Sequence, residues 1–188
     1  MHMVQRPLTY EELLAKVIDR KDEVHAFEAF LRKETSWATS PASTRFHLAK
    51  PGGLVEHSLN VANTLLKMRA MFAPEITEES CVISAIYHDI GKIGWPGKPY
   101  YLPQTEEYYR RRGIFYKVNE AATHMDIATR SLHIVGSHII LSEEEAQAIR
   151  YHDGQYIEEN HSVAHHETKL TRLLQYSDNW SGGVLEGR

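Results

Sequence analysis

The chain has 188 residues, 42% apolar and 24% charged, with a net charge of −4 when histidine is neutral. These values describe one ordinary globular domain, and the acidic balance speaks against a protein built to grip a long nucleic-acid backbone, which needs a basic excess. A single cysteine, Cys81, excludes an internal disulfide and leads us to expect a reducing, cytoplasmic setting. Neither a bilayer-spanning apolar run nor a secretory signal after the first residues is expected.

Most of the chain carries helical periodicity. Thr9-Tyr10-Glu11-Glu12 forms a capping box, and Leu13, Leu14, Val17 and Ile18, then Phe27, Phe30 and Leu31, follow at helical spacing. Residues 35–53 read as loop, punctuated by Pro41, Pro51, Gly52 and Gly53. A helix is predicted from Leu54 to about Phe72, with His57 in its first turn. After Pro74, Thr77 caps a helix through Val82, Ile83, Ala85 and Ile86 that reaches His88 and Asp89, with Gly91 and Gly94 as its stop. Residues 95–120 are irregular and rich in tyrosine and arginine, and they suit a hairpin turning near Gly113. Helical spacing returns over 121–140. Ser142-Glu143-Glu144-Glu145, a second capping box, opens a helix that runs to about His152 before Gly154. A last helix spans roughly 164–180, and the glycine-rich tail from Ser181 to Arg188 is expected to be loose. The predicted fold class is therefore all-α: a single domain over 1–188, with its core at about 45–180 and a short irregular or hairpin insertion around 95–120.

Histidine is the commonest metal ligand, and there are 12 here, so their positions matter more than their number. Neighbours on a helix point about 100° apart, so His88 and Asp89 would converge poorly in mid-helix. They fall instead in a final turn, where free carbonyl dipoles favour a cation. A plain imidazole-to-carboxylate hydrogen bond is the other reading of that pair. His57 opens its helix just after glycines that would let a ligand approach the backbone. Asp178 follows Leu174 by four residues on an apolar face, where a carboxylate needs a metal or an arginine as partner.

GGLVEHSLNVA, YHDIGKIG and LLQYSDNW together resemble the HD-domain metal-dependent phosphohydrolase superfamily, over residues 45–180. The RFH…PGGLVEH lead-in is most similar to HD domains of some bacterial 3′–5′ exoribonucleases and their stand-alone relatives. The resemblance implies an all-helical fold and hydrolysis of a phosphoester, usually in a nucleotide. It also implies a divalent ion (Mn, Fe, Ni, Co or Mg) held by His57, His88, Asp89 and Asp178. Two-metal branches use further histidines, matched here by His124 and His152. Asp153 stands where those branches often carry another histidine, which leaves a second ion open.

Such an ion would activate a water and neutralise phosphate oxygens. Asp89 could orient the water, and Lys92 could reach a phosphate oxygen or the leaving group, which makes these two the candidate catalytic residues. Arg45, His47, Lys50 and Arg130 are the candidate substrate-binding residues. The Tyr/Arg-rich segment 100–117 reads either as a lid that stacks a base and holds phosphate or as a solvated insertion or dimer contact. Expected partners are a small phosphate substrate such as a nucleotide, or a short RNA or DNA end, with a homo-oligomer open and no membrane. A non-catalytic nucleotide or metal sensor and a di-iron oxygenase relative are the competing functions. Surface or packed roles suit His25, His133, His138, His161, His165 and His166, and an inert buried thiol suits Cys81.

Overall fold

Leu54, His57, Ser58, Val61, Ala62 and Leu65 recur at three- and four-residue intervals, and a helix brings them to one face. In the computed structural model, which describes residues 6–187, they form the buried stripe of the central helix α3 (Gly53–Phe72). This helix packs against α4 (Glu78–Tyr87) and α8 (Lys169–Trp180). Helices α6 (Ile127–Gly136) and α7 (Glu143–Arg150) complete the bundle, α7 touching α4, α6 and α8. Val82, Ile83 and Ile86 of α4 and Leu170 and Leu174 of α8 join α3 in one hydrophobic core. The architecture is all-helical with one small hairpin, as expected. No helix among the described residues is long and apolar enough to cross a membrane. The expected absence of a secretory signal concerns a start that lies partly outside those residues.

Several boundaries differ from the sequence expectation for identifiable reasons. The first stripe splits into α1 (Tyr10–Leu14) and α2 (Lys21–Glu34). Between them the amides of Ile18, Asp19 and Arg20 donate to the Glu79 carboxylate instead of to helix carbonyls. Arg20 also forks onto both oxygens of Glu145 at 2.6 and 2.7 Å, tying this corner to α4 and α7. Residues 121–126 are not helical, because Asp126 caps α6 by accepting from the Thr129 amide. Likewise α8 begins at Lys169 rather than near 164, where Thr168 caps it. Helix α7 ends at Arg150, leaving His152 in the following turn.

The insertion is a hairpin. Strand β1 (Tyr101–Pro103) pairs antiparallel with β2 (Tyr116–Val118), with Leu102 opposite Lys117. A single turn of helix, α5 (Glu107–Arg110), and Gly113 lie in the connection. The amides of Phe115 and Tyr116 donate to the Thr44 carbonyl, fastening the hairpin to the loop that precedes α3.

Candidate metal centre

Three helix ends and one helix face converge on a buried cluster. His57 projects from the core stripe of α3, where it is 1% exposed. His88 caps the C-terminus of α4 just after Tyr87, and Asp89 precedes a 3-10 turn over Ile90–Ile93. That change in backbone lets two neighbours face one point, as the expected helix end requires. His152 follows α7, and Asp178 lies in the last turn of α8.

The turn after Asp89 is held by close packing. A Cβ on Gly91 would lie 2.3 Å from the Ile127 carbonyl oxygen, so α6 sits directly on the turn. The Gly91 amide donates to Ser131 Oγ at 2.8 Å, and its carbonyl accepts from Arg130 at 3.1 Å. Gly91 is thus a packing glycine more than a stop signal. The glycines before α3 also differ from expectation: a Cβ on Gly53 would lie 2.0 Å from the Leu48 carbonyl oxygen. What approaches that backbone is the chain's own loop, not a ligand.

The imidazoles share one orientation. His88 Nδ1 lies 2.8 Å from the Ala85 carbonyl, and His152 Nδ1 lies 2.8 Å from the Ile149 carbonyl. A carbonyl only accepts, so each Nδ1 carries the proton and each Nε2 is left free. His57 Nδ1 meets the Glu186 carboxylate at 3.0 and 3.1 Å, with the same consequence.

The free nitrogens face carboxylates. His57 Nε2 is 3.0 Å from Asp178 Oδ1 and 3.7 Å from Asp89 Oδ2. His88 Nε2 is 3.6 Å from Asp89 Oδ2 and 3.8 Å from Asp178 Oδ1. In the neutral ring neither Nε2 finds a hydrogen-bond donor, and both are fully buried. A nitrogen lone pair and a carboxylate oxygen at such separations repel unless a cation lies between them. Neighbouring ligand atoms around an ion with bonds of about 2.1 Å lie about 3.0–3.4 Å apart, close to the distances seen. The residues therefore fit a divalent ion.

In the metal-free chain a proton takes that place. Burial pulls the His57 pKa down, but hydrogen bonds to Asp178 and Glu186 and the charge of Asp89 outweigh it and hold the pKa at about 9. For His152, burial is again overcome, by Asp89 and Asp153, and its pKa is also about 9. His88 lacks a bonded carboxylate, so burial dominates and lowers it to about 4. Asp89 and Asp178 ionise well below the usual carboxylate range despite burial, Asp89 chiefly through Lys92 and Asp178 chiefly through its bond to His57.

The remaining predicted residues are placed as follows. Lys92 Nζ pairs with Asp89 Oδ2 at 2.5 Å, so it belongs to the centre. His47 lies beside His57, with ring centroids 4.9 Å apart and the planes tilted by 39°. Arg45 is exposed over the Phe46 ring, and Lys50 pairs with Glu56 at 2.7 Å. Arg130 is 1% exposed, and its guanidinium bonds the carbonyls of Gly91, Thr123 and Met125. Those contacts make it a clamp on the turn after Asp89, in place of the expected hold on substrate. The two histidines implied for a second ion separate. His152 joins the cluster, whereas His124 is exposed in the loop before α6 and belongs to no ligand group among the described residues. A surface groove of about 550 Å³ between Arg6, Lys16 and Lys67 contains none of the clustered residues.

A family model described as HD domain matches residues 54–181. The chain belongs to the HD-domain family. HD domains are generally metal-dependent hydrolases that bind divalent ions, and His57, His88, Asp89, His152 and Asp178 all fall within the matched stretch. No curated protein and no solved structure matches the chain. One residue of the centre lies outside the HD-domain match and was missed from sequence: Glu186, whose side chain is 1% exposed. The expected loose tail is instead a π-helical turn over Ser181–Leu185 that delivers it; Arg188 lies outside the described residues. No sequence signal marks Glu186, since its partner His57 is 129 residues away.

Proposed function

We propose that the chain is a metal-dependent phosphohydrolase acting on a small phosphoester of the nucleotide type. The observation that supports this reading is the set of buried imidazoles whose Nδ1 protons are claimed by carbonyl and carboxylate acceptors, so that each Nε2 is turned toward two ionised aspartates. His57, His88, Asp89 and Asp178 would hold the ion, joined by His152, which groups with His88 and Asp178. When bound, a divalent ion lowers the pKa of a coordinated water and draws charge from phosphate oxygens.

The chain's own groups complete the chemistry. Asp89 Oδ1 is turned away from the His57 side of the cluster and lies 3.5 Å from His152 Nε2, so Asp89 can accept a water proton there or bridge to a second ion. Lys92, raised above its ordinary pKa by the charge of Asp89 against the pull of burial, remains an ammonium. With a cation taking over the Asp89 charge, that ammonium can turn to a phosphate oxygen. Arg45 and Lys50, exposed in the loop before α3, supply further positive charge for the substrate's remaining phosphate. The overall acidity of the chain favours a small substrate over a long strand.

The test is to strip metals, restore manganese or cobalt, and assay a panel of nucleotides and bis-p-nitrophenyl phosphate alongside Asp89→Ala. Turnover that needs the ion and Asp89 supports the reading. Absence of turnover with every metal, or full activity in Asp89→Ala, refutes it. Metal content per chain distinguishes one ion from two.

A further inference from the structure

The C-terminal segment ends in an arrangement that apolar burial does not explain. Val184 and Leu185 are 56% and 54% exposed, so the segment is not held by its hydrophobic residues. Polar bonds hold it instead. Ser181 is buried, with its Oγ 3.5 Å from Thr64 Oγ1 of α3, and the Glu186 amide donates to the Ser181 carbonyl at 3.0 Å. Beyond them the Glu186 carboxylate is driven into the protein. It accepts from Asn60 Nδ2 at 3.0 Å and meets His57 Nδ1 at 3.0 and 3.1 Å, with His47 Nε2 at 4.0 Å. Burying a carboxylate is costly unless it is bonded, so these contacts are what the segment is folded to make.

We propose that Glu186 is the positioning residue of the metal centre, acting through His57; this rests on the reading that His57 Nε2 binds an ion. His57 and Asn60 lie three residues apart on α3 and hold one carboxylate between them. The carboxylate compels the His57 proton onto Nδ1, which frees Nε2. It also fixes the ring plane and makes the ring a stronger donor, as carboxylates behind metal-binding histidines do. His88 and His152 use backbone carbonyls for the same purpose, so His57 is the histidine whose grip depends on a side chain supplied from the far end of the chain. His47, His57 and Glu186 also form a group that could itself hold an ion. That would require His57 to give up its Nδ1 proton, which the centre needs in place.

The experiment is a cobalt(II) titration of the full chain, read by absorbance and by chelator competition, on the wild type, Glu186→Gln, Glu186→Asp and Asp178→Ala. Asp178→Ala should abolish tight binding. Glu186→Gln keeps the volume and the bond to Asn60 but weakens the acceptor, so affinity should fall by about 10- to 100-fold. Glu186→Asp, which restores the charge, should recover part of the loss. A merely structural Glu186 would lower stability and leave the cobalt affinity of folded protein within twofold of wild type, and that result overturns the proposal. Tight cobalt binding that survives Asp178→Ala but disappears in His47→Ala would place the ion at the outer group and overturn it too. Wild type that binds no cobalt removes the centre itself, a different failure from an unaffected Glu186→Gln. Should Glu186→Gln not fold, the wild type still decides. In ¹⁵N-histidine-labelled protein loaded with zinc, His57 Nδ1 must carry a slowly exchanging proton, and an Nδ1 without a proton refutes the assignment.

Discussion

Lowering the pH should release the metal in a way set by two of the three clustered histidines. His57 and His152 have pKa values of about 9 in the metal-free chain, and His88 has one of about 4. An ion binds only neutral imidazole. At pH 7 both raised histidines must first lose a proton, at about 1.36 kcal/mol for each unit between pKa and pH. That is about 2.7 kcal/mol per ring and about 5 kcal/mol for the pair, roughly a 10⁴-fold reduction in apparent affinity. Between pH 6 and 8, log affinity for manganese should rise with a slope near two, while His88 contributes nothing. The metal-free protein should behave oppositely. A histidine with a raised folded pKa adds stability that is fully present below its unfolded value of about 6.5 and is lost as pH rises through about 9. Calorimetric titration in buffers of different ionisation enthalpy counts the protons released, and the expected number at pH 7 is about two. Affinity independent of pH, with no proton release, would refute the assignment of His57 and His152 as ligands.

Three further outcomes follow from the packing. Arg20→Ala leaves Glu145, fully buried, and Glu79 without their guanidinium; denaturant unfolding should show a loss of about 3–5 kcal/mol, and a loss below about 1 kcal/mol would contradict the burial argument. Gly91→Ala forces a methyl toward the Ile127 carbonyl, so it should cost about 1–3 kcal/mol and weaken metal binding by displacing Asp89; an unchanged melting temperature and cobalt affinity would show that α6 yields freely. Burial pushes the Cys81 thiol up to about 12, so a thiol reagent at pH 8 should react only at the rate of unfolding, and rapid labelling of native protein would disprove its enclosure.

Much of the fold follows from short-range patterns. Thr9 and Ser142 are capping-box residues, Thr77 is a cap, and each opens a helix where its motif stands. The apolar repeat after Leu54 yields α3 over its expected length. The boundaries that moved did so under long-range bonds: Glu79 draws three amides out of the first helix, and Asp126 and Thr168 delay two later ones.

The sequence by itself determined which side chains could serve as ligands and which helix ends would carry them. Caps, stripes and the break after Asp89 act within about four residues, so they are written in local order. Only the tertiary structure decided how those residues are used. It turns each Nε2 inward, because the Ala85, Ile149 and Glu186 acceptors claim each Nδ1. It keeps His124 exposed, makes Arg130 a backbone clamp and places Glu186 behind His57. Those outcomes depend on how separate helices dock, and a glutamate in a glycine-rich tail has no periodic neighbour to announce the histidine it will hold.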